Sequence, residues 1–151
     1  LNTPFYLGQG RPGLGNRMIV FGARMMLRRN LYINGVARSF LTEETREQND
    51  EAMATFSAHL KNADRRGLVR AVRSVLLTDV PLAPGLKPIS VPTLVVAGTF
   101  DEMYPLENMR RAAAQIPRAT FATLETAHIS VVDDPEGTLE LLLPFLEELG
   151  E

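Results

Sequence analysis

Cysteine is absent from this chain of 151 residues, and histidine occurs only twice, at His59 and His128. The first absence excludes disulfides, thiolate metal sites and a cysteine nucleophile. The second leaves too few imidazoles for a histidine-rich metal site. No apolar run approaches the roughly 18 residues that a membrane span needs, and the start lacks the basic-then-apolar order of a signal peptide. A net charge of −2 gives no field that would draw nucleic acid or an acidic substrate. The expectation is a cytoplasmic protein with no membrane, nucleic-acid or metal partner. Also missing is G-x-S-x-G: none of Ser39, Ser57, Ser74, Ser90 and Ser130 has glycine two positions away on both sides.

What is present is a globular composition, 45% hydrophobic, in a chain long enough to bury a sizeable core. Leu1-Asn2-Thr3-Pro4-Phe5 reads as the exit of a strand, which implies a preceding segment that was removed or is carried on another chain. Glycines and Pro12 punctuate the stretch to about residue 16 as loop. Gly8-Gln9-Gly10 and Gly13-Leu14-Gly15 are not a dinucleotide fingerprint, because no buried strand precedes them. A helix is predicted over 17–29. Its apolar face carries Met18, Phe21 and Met25, and Arg17, Arg24, Arg28 and Arg29 lie elsewhere. This helix reads as packing on its neighbours or covering a pocket, in preference to lying on a membrane surface.

A second helix is predicted from Thr42, as cap, to about Lys61, with Ala52, Met53, Phe56 and Leu60 on its apolar side. His59 lies in it and reads as a surface or packing residue. Asn62-Ala63-Asp64 breaks it, and a third helix spans about Arg65 to Leu77 with Leu68, Val69, Val72, Val75 and Leu76 inward. Pro81, Pro84, Gly85 and Pro88 then mark a boundary, dividing the chain into a helical region, 1–88, and a second part, 89–151. There the periodicity changes. Thr93-Leu94-Val95-Val96-Ala97 is a short run suited to a strand buried on both faces. Leu106 to Gln115 is helical, and 119–124 forms a second strand. Asp134 caps a last helix with Pro135 at its first position, running to Leu149 and interrupted or bent at Pro144.

Asp101 and His128 each follow one of these strands. Ligands gather at the carboxyl ends of strands in open α/β sheets. An acid and a histidine delivered there can form the back half of a nucleophilic triad. Taken singly, Asp101 also reads as a loop acid capping the helix near Pro105, and His128 as a turn histidine. Glu102 is a weaker substitute for Asp101 and faces solvent. Phe100, Met103 and Tyr104 flank the acid, and they read either as pocket lining or as ordinary packing. So does Met25, from the helical region.

The run Val91 to Asp101, with Pro105 after it, resembles the late strand and acid loop of the α/β-hydrolase family. Ala127-His128 followed by Asp133-Asp134-Pro135-Glu136 resembles that family's histidine loop and the start of its final helix. Ala127 stands where the family commonly has glycine. The order acid then histidine, 27 residues apart, is the family's order after its nucleophile. More loosely, residues 1–88 resemble the helical cap, and the whole is most like the 3-oxoadipate enol-lactonase-type branch.

The resemblance implies an α/β fold: the C-terminal portion of an α/β-hydrolase, βαβα of a parallel sheet, preceded by a helical cap. It implies a serine hydrolase of carboxylic esters or lactones. His128 would act as base and acid, and Asp101 would orient it. Met25, Phe100, Met103 and Tyr104 would contact a small-molecule substrate. No metal or organic cofactor is implied. A cofactor-free haloperoxidase or carbon–carbon hydrolase would use the same residues, and a non-catalytic ligand-binding protein would keep the same fold. Nucleophile and oxyanion hole belong to the earlier part of the fold, so the chain alone is expected to be inactive. Its first strand should pair with that missing half or self-associate.

Overall fold

A computed structural model describes residues 14–26, 30–77 and 85–150, so the expectations for the opening stretch, for 27–29 and for the proline-rich linker ahead of Gly85 lie outside it. The described residues divide into two compact units, one of residues 39–42 and 85–150, the other of 14–26, 30–38 and 43–77.

The helical unit draws on five helices, α1 (Leu14–Met26), α2 (Asn30–Phe40), α3 (Glu43–Gln48), α4 (Asp50–Asn62) and α5 (Arg65–Leu77). The last two residues of α2 belong to the other unit. Helix α1 starts three residues earlier than its apolar periodicity predicts. Its packing partner is α5, whose Arg65 guanidinium donates to the Arg24 carbonyl. Leu68, Val69 and Val72 of α5 are half-buried.

Helix α2 has little local support, since Asn34, Gly35 and two β-branched residues are poor helix formers. It stands on burial: Ile33 and Ala37, one turn apart, are almost fully buried. The single helix predicted from Thr42 to Lys61 is in fact two. Asn49 leaves helical geometry (φ −116°, ψ 80°), and its side chain accepts from the Ala52 amide at 2.9 Å. An asparagine that can cap a new helix competes well against continuing an old one. Ala63, in extended conformation, ends α4 as predicted, and Asp64 then accepts from the Gly67 amide at 2.6 Å to start α5.

The other unit is built on β1 (Thr93–Gly98), α6 (Leu106–Ala113), β2 (Ala119–Leu124), α7 (Ser130–Asp133) and α8 (Pro135–Gly150). The strands are parallel, with Thr93 opposite Ala119 and Gly98 opposite Leu124. A parallel pair needs a crossover, and α6 supplies it. Val95 and Ala97 from β1 pack with Met109, Ala112 and Ala113 of α6, and Leu86 and Ile116 complete this core. The other face of β1 is only half-buried, against the expected burial on both sides, and Thr120 and Thr123 of β2 are exposed. Asp134 caps α8 as predicted, accepting from the Gly137 amide at 2.8 Å, and Pro144 lies inside that helix. The one-turn α7, ahead of it, has too few residues to leave a periodic signal.

Candidate active site

The parallel register ends both strands at one level, so the two following loops run side by side. Thr99 donates its amide to the Leu124 carbonyl, and Phe100 donates to Thr126. This carries Asp101 and His128 to the same end of the sheet. Asp101 turns its carboxylate inward. Oδ1 accepts from the amides of Met103 (2.8 Å) and Tyr104 (3.0 Å), both in the loop ahead of α6. Oδ2 lies 2.9 Å from His128 Nδ1. The two side chains are 4% and 12% exposed, so the pair is shielded yet the imidazole still reaches the surface.

Two rings bracket the imidazole. Phe40 meets it edge-on, with centroids 4.9 Å apart and planes at 89°. Tyr104 leans over it at 5.0 Å and 39°. With the carboxylate ionised and the imidazole neutral, Nδ1 donates to Asp101 and Nε2 is left with its lone pair. Nε2 has no hydrogen-bond partner among the described residues. Such a ring can take a proton from a nucleophile placed before it and return one to a leaving group.

Of the residues singled out from sequence, the fold brings together Asp101, His128, Met103 and Tyr104. Phe100 is 59% exposed. Met25 is 62% exposed on α1, in the helical unit. Glu102 and His59 are exposed, as expected. Ser130 is buried with its hydroxyl 2.9 Å from that of Thr126 and is engaged there. Among the described residues no group of three or more His, Asp or Glu is arranged to hold a metal, and no helix is long and apolar enough to cross a membrane.

Sequence reasoning missed Phe40, Thr42 and Asp133 as neighbours of the histidine loop. The Asp133 carboxylate accepts at Oδ1 from the amide (3.0 Å) and hydroxyl (3.1 Å) of Thr42, and at Oδ2 from the amide of Ala127 (2.8 Å). One signal was available: two consecutive acids precede Pro135, and a helix start uses only one of them.

No protein-family model matches the chain. It is 35% identical over 63 residues, 42% of this chain, to a poly(3-hydroxyalkanoate) depolymerase of Ectopseudomonas oleovorans, of which that covers 22%. It is 29% identical over 91 residues, 60% of this chain, to 3-oxoadipate enol-lactonase 2 of Acinetobacter baylyi, of which that covers 33%. Among solved structures, the enol-lactonase from Burkholderia xenovorans LB400 superposes with a TM-score of 0.80 at 23% identity, over 91% of this chain and 52% of that one. The chain thus spans less than half the length of the curated relatives it matches and about half that of the solved structure. The parallel sheet with acid and histidine at its carboxyl end, the likeness to enol-lactonases and the superposition on solved hydrolases agree: the chain has the fold of the C-terminal portion of an α/β-hydrolase and is similar to enol-lactonase-type members.

Proposed function

We propose that this chain supplies the acid and the histidine of a serine hydrolase that cleaves carboxylic ester or lactone bonds. One observation carries the reading: the hydrogen bond from His128 Nδ1 to a buried Asp101 carboxylate, at the carboxyl end of two parallel strands. The similarity to a depolymerase and to enol-lactonases supports the substrate class. In this reading Asp101 holds the tautomer and steadies the imidazolium, and Nε2 deprotonates a serine and later protonates the leaving oxygen. Met103 and Tyr104, beside Asp101, border the substrate.

The serine and the oxyanion donors come from a segment outside this sequence, carried on the same or another polypeptide. The sheet supports a partner of that kind. In the parallel ladder the odd-numbered residues of β1 bond to β2, as Thr93 and Thr99 show. The amides and carbonyls of Leu94 and Val96 therefore face the opposite edge, where no strand pairs with them among the described residues. On α8, Leu139, Leu143 and Leu146 are about half exposed and offer apolar surface for the same segment to cover.

The test uses a fluorophosphonate serine probe and a chromogenic ester. The chain alone is expected to give neither labelling nor hydrolysis. The chain joined to a segment bearing G-x-S-x-G is expected to give both. There, Asp101→Asn should lower turnover by about 10⁴-fold, through the wrong tautomer. Probe attached to any serine of the isolated chain, or full turnover in Asp101→Asn, would overturn the reading.

A further inference from the structure

Both residues that flank His128 in sequence have their amides held. Ala127 donates to Asp133 Oδ2 at 2.8 Å, and Ile129 donates to the Phe40 carbonyl at 3.0 Å. These two acceptors are themselves linked. Phe40 is followed by Leu41 and Thr42, and Thr42 donates its amide and its hydroxyl to the other oxygen of Asp133. A single carboxylate thus ties the segment 40–42 to the near side of the histidine loop, and the Phe40 carbonyl ties it to the far side. The Phe40 ring closes on the imidazole edge-on between these ties. Within the loop, the buried hydroxyls of Thr126 and Ser130 are bonded to each other at 2.9 Å. Leu41, the middle residue, is only 1% exposed, which fixes the segment as part of the packed structure.

We propose that Phe40-Leu41-Thr42 is a strap that positions His128, and that Asp133 is the positioning residue which anchors it. The proposal rests on the triad reading. A rotation of the imidazole about its Cα–Cβ bond breaks the bond from Nδ1 to Asp101 and releases the choice of tautomer. The Phe40 ring opposes that rotation at the imidazole edge, and the ties to Ala127 and Ile129 hold the backbone from which the imidazole projects. Charge matters here: the carboxylate accepts three donors on two oxygens, whereas an amide at the same place turns a donor toward either Ala127 or Thr42.

The experiment is a long-range proton–nitrogen NMR correlation of the imidazole rings, recorded on the whole chain where the rings are neutral. There are only two histidines, so His59→Gln assigns His128. In the unmodified chain the two His128 nitrogens should be widely separated, with Nδ1 protonated. Asp133→Asn should shrink that separation by about half as both tautomers populate. Phe40→Leu keeps an apolar side chain in place and should shrink it less. Asp134→Ala removes the neighbouring carboxylate, which caps α8, and should leave it unchanged. A separation unaltered in both Asp133→Asn and Phe40→Leu overturns the strap alone. If Asp133→Asn does not fold, Phe40→Leu decides. An averaged pair in the unmodified chain overturns the triad reading, and the strap with it.

Discussion

Gly98, the last residue of β1, lies directly beneath the carbonyl of Ala127, the residue before His128. A Cβ at Gly98 would overlap that oxygen and the carbonyl of Thr126. The end of one strand and the loop after the next therefore touch through backbone alone, and this close approach sets the level at which His128 stands against Asp101.

Gly98→Ala should consequently push the histidine loop away from β1. Overpacking of this kind costs about 1–3 kcal/mol. The clashing atoms are backbone, which cannot rotate aside, so the upper part of that range is expected in urea unfolding. A variant as stable as the parent chain would mean that the loop relaxes freely.

The α6 side of the sheet is where stability resides. Met109 is 3% exposed and packs among Val95, Ala97 and Ile116. Met109→Ala leaves a cavity between helix and sheet and should cost about 2–5 kcal/mol. Thermal unfolding followed by circular dichroism reads this loss. Because Met109 contributes none of the hydrogen bonds that hold Asp101 and His128, the imidazole nitrogen signature of the folded fraction should stay unchanged.

Asp134→Ala removes the acceptor that meets the Gly137 amide at 2.8 Å. Losing an N-cap of this type costs about 1 kcal/mol. Amide hydrogen exchange should show the loss as faster exchange in the first turn of α8, with β1 and β2 protected as before.

Burial raises the Tyr32 phenol above its ordinary value of 10.0. Its ring lies beside Gly22 of α1. A raised folded value means that the fold favours the neutral phenol. This contribution is complete below the unfolded value and is lost as pH rises through the folded one. Tyr32→Phe should therefore lose less stability than the parent chain as pH rises above about 10 in paired urea titrations. Parallel curves for the two proteins would show that Tyr32 does not titrate differently in the fold.

Local physics made much of this protein legible before any coordinates. The β-branched run at 93–97 and the Asp134-Pro135 start of α8 specify their elements with their own atoms, as does the Asp64 break between α4 and α5. Two strands with one helix between them place residues after each strand at one end of the sheet, so Asp101 and His128 were legible as a pair. Asn49 was legible in principle, since an N-cap acts over three residues, yet the apolar pattern running through it concealed the break.

Tertiary structure decided the rest. Helix α2 exists because Ile33 and Ala37 find burial, not because its residues favour a helix. The bracket around the imidazole joins positions whose separation carries no periodic signal: Phe40 to His128, and Thr42 to Asp133, 91 residues apart. A local pattern reports only on neighbours within a turn or a strand. Which carboxylate caps a helix and which one fastens a distant segment to the histidine loop depends on what the folded chain brings within 3 Å of it.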